Sequence, residues 1–232
     1  MAHILDNVIW QALTTRQTAF AEACGQARRF IQEVTSLTAF EEASDRGYAS
    51  LANLVGPQGT AALFLDAPYE NRAGWDYIAG APMLEMVYAN GVPPNGKRNL
   101  TTGIDELGPQ DSEDMLALAT LTKPGPFGTR THELGSYVGI HSEGKLVAMA
   151  GERLKVPGYT EVSAVCTHPE HTGKGYARVL MTEIMRRIRE RGETPMLHVR
   201  ADNTRAIELY ERLGYRARKQ MHFAVLRRTE PD

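Results

Sequence analysis

Apolar side chains recur at Tyr176, Leu180, Ile184 and Ile188, one face of a 3.6-residue period, which predicts an amphipathic helix over residues 176–190. Around this helix the pattern shortens to strand-like runs. Residues 137–141 and 145–153 flank Ser142, Glu143 and Gly144 and read as a hairpin, and residues 160–167 and 196–200 read as two further strands. Asn203 can cap a helix that runs to Leu213 and stops at Gly214. Residues 215–219 and 222–226 are expected as two closing strands. Upstream, Asp111, Glu113 and Asp114 place acidic groups in the first turn of a helix that ends at Lys123 and Pro124. The order from 137 onward, β-β-β-α-β-α-β-β, predicts a mixed α/β sheet flanked by helices.

The first ninety residues are less regular. Ile9, Leu13, Phe20 and Ala21 suggest a helix capped by Asp6 or Asn7 and place Cys24 in its continuation as a small buried apolar residue. Residues 60–66 and 83–88 read as strands. The Pro-, Gly- and Asn-rich stretch from Ala89 to Arg98 reads as a linker. The expected division is an N-terminal α/β half, residues 1–98, without a recognisable active site, and a second part, residues 99–232. One reading makes the N-terminal half a degenerate copy of the fold that follows it.

Composition narrows the function classes. At 232 residues with 42% hydrophobic and 23% charged side chains, a folded core is expected and disorder is excluded as the main state. Two cysteines, Cys24 and Cys166, cannot make a disulfide framework. No apolar run approaches the roughly 18 residues of a membrane span. The opening Met-Ala-His-Ile-Leu-Asp shows no signal-peptide pattern, so the expected location is cytoplasmic. Residues 1–171 carry a net charge of −8 and residues 172–228 one of +8. A basic segment on an acidic body points to a compact anionic ligand near the C-terminal part, although Arg186, Arg187, Arg189 and Arg191 also read as a solvated helix face. A sequence pI near 6.4 disfavours nucleic acid as a partner.

The informative segment is Thr172-Gly173-Lys174-Gly175-Tyr176-Ala177, between a strand and a helix. Glycines let backbone N–H groups approach a ligand, and the following helix supplies unpaired N–H groups and a positive dipole end. Together they suit a diphosphate, with Lys174 as a point charge at the rim. The loop is neither a Walker A sequence nor a dinucleotide fingerprint.

Its flanks are Glu161-Val-Ser-Ala-Val-Cys-Thr-His-Pro169 and Asn203-Thr-Arg-Ala-Ile-Glu-Leu-Tyr-Glu-Arg-Leu-Gly-Tyr215. With these in place, residues 111–228 resemble the GNAT superfamily of acyl-CoA-dependent N-acetyltransferases, and more distantly its glycine N-acyltransferase-like branch. The resemblance implies a mostly antiparallel sheet and acetyl-CoA as co-substrate. It implies that the backbone from Thr172 to Ala177 holds the coenzyme A pyrophosphate. It also implies that Val165, Cys166 and Thr167 pair with the pantetheine arm and that Asn203 contacts the coenzyme. Thr172 stands where the family usually has Gln or Arg. The same resemblance makes Tyr210 the general acid and Glu161 the base for direct attack of an amine on the thioester. A phenol with a pKa of about 10 is protonated at neutral pH and can donate.

The reaction so implied moves an acetyl group from acetyl-CoA to the primary amine of a small molecule or amino acid. The alternatives are a non-catalytic acyl-CoA sensor and a protein or peptide acetyltransferase, whose basic substrates the acidic body would attract. Cys166, His168 and His171 lack an evident fourth ligand, so no metal is expected. Phe127, Arg130, His132 and Glu133 lie in a loop that could read the acceptor. One coenzyme per chain and a monomer or homodimer are expected, without nucleic acid or membrane.

Overall fold

The computed structural model describes residues 3–89 and 103–229, so most of the expected linker lies outside the described residues. Before it come helix α1 (Val8–Thr14), strands β1 (Ala21–Cys24), β2 (Ala27–Phe30) and β3 (Thr38–Phe40), helix α2 (Asp45–Val55), and strands β4 (Thr60–Leu65) and β5 (Trp75–Tyr88). After it come β6 (Asp105–Leu107), α3 (Ser112–Thr122), β7 (Tyr137–Ser142), β8 (Lys145–Val156), β9 (Tyr159–Thr167), α4 (Tyr176–Glu190), β10 (Thr194–Arg200), α5 (Thr204–Arg212) and β11 (Tyr215–Arg228).

β1, β2 and β3 form a small antiparallel sheet. The other strands form one eight-stranded sheet in the order β4-β11-β5-β10-β9-β8-β7-β6. All its neighbours are antiparallel except β10 and β9. This is a mixed α/β architecture with a mostly antiparallel sheet flanked by helices. Both neighbours of β11 are strands from before residue 90, and β5 separates β11 from β10. Residues 1–98 and 99–232 thus share a sheet.

The predicted helix at 176–190 is α4. Tyr176, Leu180, Ile184 and Ile188 are buried together with Met181 and Met185, packed with Val138, Ile140, Ala148 and Ala150 of β7 and β8. The β7–β8 turn has positive φ at Glu143 (52°) and Gly144 (75°), the two left-handed positions of a tight hairpin turn whose twist matches its strands. Gly151 is obligatory for packing, because a Cβ there would lie 2.2 Å from the Tyr137 ring.

Three local expectations are corrected. The first helix stops at Thr14, where Thr14 Oγ1 turns back to donate to the Trp10 carbonyl. Phe20 then lies in a 3-10 turn and Ala21 opens β1, which puts Cys24 on a half-exposed strand rather than in a helix. The two closing strands are one, β11, kinked by an extra residue at Arg218: Ala217 faces Met86 and Lys219 faces Glu85. Regular alternation in the strand expected at 160–167 would set Glu161, Ser163, Val165 and Thr167 on one face, but a bulge at Ala164 (φ 52°) breaks it, since Ser163 faces Gly151 and Cys166 faces Met149. As a result Val162 and Val165 pack with α4, while Ala164 and Cys166 pack with Met115 and Tyr137 on the other side.

Trp10 and Trp75, the two tryptophans, both precede residue 90. Ile184→Ala, at a fully buried α4 position remote in sequence from either, should lower stability by about 2–4 kcal/mol. In urea titrations the loss should appear equally in tryptophan fluorescence and in far-UV circular dichroism. Fluorescence unmoved by the substitution would mean that the two sides of the shared sheet unfold separately.

Candidate active site

β9 and β10 are parallel neighbours over three residue pairs, ending at Glu161 and Met196. Beyond that point they diverge. Between them opens a cavity of about 750 Å³, walled by residues 162–167 of β9, 197–200 of β10, the loop from Lys123 to Pro126, and Tyr210 of α5. Leu37, Phe64 and Phe223 give it an apolar side.

The glycine loop follows the far end of β9. Gly173 and Gly175 have φ of 79° and 83°, a region that L side chains rarely adopt, and open space surrounds the missing Cβ of Gly173. Gly175 is the residue before α4, so the first-turn N–H groups of that helix follow it directly. Thr172 is exposed and its hydroxyl donates to the Pro169 carbonyl at 3.0 Å. Lys174 is exposed, with Nζ 3.1 Å from His171 Nδ1. Tyr176 is buried in the core, which leaves its amide as the group that can serve a ligand, and Ala177 is half-buried. Val165, Cys166, Thr167, Asn203 and Tyr210 all line the cavity; Thr172 to Ala177 lie outside its walls. Asn203 Oδ1 also accepts from the Ala206 amide at 3.2 Å, capping α5.

Tyr210 is half-buried, and burial pushes its phenol up to about 12. Burial likewise pushes the Cys166 thiol up to about 11, against opposing hydrogen bonds from Thr122 and the Met149 backbone, so this cysteine is no thiolate.

Glu161 sits at the closed end of the cleft. Its Oε1 accepts from Arg153 Nη2 (2.7 Å) and lies 2.7 Å from His198 Nδ1, while Oε2 accepts from Arg153 Nε (2.8 Å) and the Leu154 amide (3.3 Å). Burial works to raise its pKa, but Arg153 and then His198 outweigh it and hold the carboxyl far below the usual range. His198 is also buried. Desolvation works against its charge, but the carboxylates of Glu161 and Glu85 raise it above the ordinary histidine value. Glu85 Oε2 is 3.5 Å from His198 Nε2, and Glu85 Oε1 accepts from Arg218, whose Nη2 donates to Asp6 at 2.9 Å. The Phe64 ring stacks on His198 at 4.5 Å.

Sequence reasoning missed Arg153, His198 and Glu85. The available signal was a charged or ionisable residue inside an apolar strand run, a position that such groups occupy only when paired. Phe127, Arg130, His132 and Glu133 of the 127–133 loop are not among the residues that wall the cavity. Phe127 meets the Tyr137 ring edge-on at 6.1 Å, Arg130 pairs with Glu133, and the Arg130 amide and the Thr131 hydroxyl bind the carbonyls of Glu33 and Val34. On α4, Arg186 and Arg187 pair with Glu183, Arg191 with Glu152, and Arg189 lies over the Tyr88 ring.

The cleft thus joins a splayed strand pair, a glycine loop at the end of β9 and a tyrosine on its wall. The family model described as FR47-like protein matches residues 137–224. A structure from Novosphingobium aromaticivorans, described as an acetyltransferase from the GNAT family, is 36% identical, covers 99% of this chain and all of its own, and superposes with a TM-score of 0.89. A GCN5-related N-acetyltransferase from Kribbella flavida, 16% identical with 97% of this chain and 96% of its own covered, shares the fold at a TM-score of 0.63. N-alpha-acetyltransferase RimI of Mycobacterium tuberculosis is 36% identical over 99 residues, 40% of this chain, and the match spans 61% of that relative's length. The chain belongs to the GNAT family of acetyltransferases.

The buried pair has a measurable pH signature. A raised histidine pKa contributes stability that is complete below the unfolded value near 6.5 and is lost as pH rises through the folded value. Wild-type stability should therefore fall as pH rises above about 6.5, and His198→Gln should flatten that slope. Glu161, shifted the other way, contributes above its unfolded value near 4.5 and loses that contribution as pH falls below it. Glu161→Gln should cost about 3–5 kcal/mol at pH 7, measured by urea unfolding, because it strands the Arg153 charge.

Proposed function

We propose that this protein transfers an acetyl group from acetyl-CoA to the amine of a small molecule or amino acid. The observation that carries the reading is the cleft between β9 and β10, with Tyr210 on its wall and the glycine loop at the end of β9. The amides from Thr172 to Ala177 would hold the pyrophosphate, with Lys174 beside it. The pantetheine arm would run back along Val165, Cys166 and Thr167, and Asn203 would border it.

The amine nitrogen attacks the thioester carbon, the C–S bond breaks, and the sulfur leaves as a thiolate. Tyr210, fully protonated at neutral pH, supplies the proton that the thiolate takes. The proton that the amine releases goes to solvent water, and the Tyr210 phenolate takes one back from solvent. Glu161, expected as the base, has both oxygens engaged and a strongly depressed pKa, so it is a weak proton acceptor. Its role in this scheme is to hold Arg153 and His198 in place. A peptide α-amine is the second acceptor class, favoured by the likeness to RimI.

Calorimetric titration with acetyl-CoA should give one site per chain, and amines should then release free thiol. Tyr210→Phe should lower kcat by about 100-fold and leave the acetyl-CoA Kd unchanged. An unaltered kcat would remove Tyr210 as the acid. Binding without turnover of any amine would make the protein an acyl-CoA sensor.

A further inference from the structure

Arg153 is fixed more firmly than any other cation in the cleft. Its side chain is 8% exposed, and Nε and Nη2 are both committed to Glu161. Among the described residues, no hydrogen bond reaches Nη1. Arg153 lines the cavity, and so does Gly125; a Cβ on Gly125 would meet Nη1 first, at 3.6 Å. A guanidinium nitrogen with two N–H donors therefore faces the cavity at the closed end of the strand pair, on a side chain that is otherwise buried. A planar guanidinium held in place by Glu161, with its free N–H donors aimed into a cavity, suits a carboxylate.

The rest of the lining agrees. Among the described residues that wall the cavity there is no Asp or Glu, whereas Lys123 and Arg205 join Arg153 as cations and Arg200 does so in a pair with Asp202. An acceptor with a second positive group, such as a polyamine or a lysine-rich peptide, would meet no carboxylate on those walls, and Glu161 and Asp202 nearby are already paired with Arg153 and Arg200. The coenzyme's own anionic groups belong at the glycine loop, beyond the other end of β9, so they do not account for Arg153.

We infer that the acceptor carries a carboxylate as well as its amine, and that Arg153 Nη1 reads that carboxylate. The inference rests on the proposed acetyl transfer and names its acceptor class: free amino acids first, with an acidic residue of a peptide as the other source of the same chemistry. Glu161 is then a positioning residue, orienting Arg153 by two parallel hydrogen bonds.

The test compares acceptors on the wild-type protein at saturating acetyl-CoA, following thiol release and product mass. The acceptors are the common amino acids, their carboxamides, simple alkylamines, and short peptides with and without acidic residues. The expected result is a kcat/KM for at least one free amino acid, or for an acidic peptide, that is about 30-fold or more above that of its carboxamide or neutral counterpart, carried mainly by KM. In Arg153→Lys, which keeps a charge beside Glu161 but removes the planar fork, the ratio should fall toward one. Carboxamides or alkylamines used as well as the free acids would overturn the inference while leaving the acetyltransferase reading intact. A guanidinium that instead served the thioester oxygen would give that pattern, with all acceptors slowed alike in Arg153→Lys. A preference that survives Arg153→Lys would overturn the role of Nη1. Turnover of none of these amines, with acetyl-CoA bound, would remove the transfer reaction and this inference with it.

Discussion

The short parallel contact between β9 and β10 is the constraint on which the site depends. Three residue pairs hold the strands together at one end, and from Glu161 and Met196 onward each strand leaves the other. A sheet normally closes such a gap by extending its ladder. Here the gap persists because each strand is secured on its outer side, β9 by β8 and β10 by β5, and because α4 packs under the cleft through a continuous apolar face. The bulge at Ala164 acts in the same region. By reversing the sidedness of β9 it sends Val165 toward α4 and Cys166 toward α3 within two residues.

The buried charges sit where the two strands part. Arg153, Glu161, His198, Glu85 and Arg218 alternate basic groups with carboxylates from the cavity wall outward, each in reach of the next. Desolvation of any one alone would be costly, and the alternation is what makes the set tolerable. Gln17 belongs to the same arrangement. Its amide donates to the Arg153 carbonyl (2.8 Å) and accepts from the Lys155 amide (3.0 Å), satisfying the backbone where β8 departs from regular pairing. The segment after α1 thereby helps set the position of a cleft residue more than 130 positions away.

The fold was legible where one periodicity dominates. α4 spans the predicted residues, α5 carries its expected Asn203 cap, and the β7–β8 hairpin turns at the expected residues. The small sheet of β1–β3 and helix α2 were not read, because their apolar positions are few and interrupted by charges, and their burial is decided by packing from distant segments. The glycine loop was legible because Gly173 and Gly175 take a left-handed backbone that glycine advertises. The Arg153–Glu161–His198 set was not, since no local spacing links residues on three different strands. Glu161 drew attention as a carboxylate near the loop, but its partners decide its protonation, and they are set by strand register.

The position of β11 has a consequence for synthesis order. β4 and β5 are made early, yet each finds its long partner only when residues 215–228 exist. β5 also waits for β10. A nascent chain therefore carries two apolar strands with unpaired edges while most of the remaining sequence is being added. Such edges are templates for wrong pairing, and contacts of this sequence separation slow the search for the native sheet. The acidic character of the chain before residue 172 gives that waiting segment a net repulsion from other copies of itself, until the basic C-terminal strand arrives to complete the sheet and offset its charge.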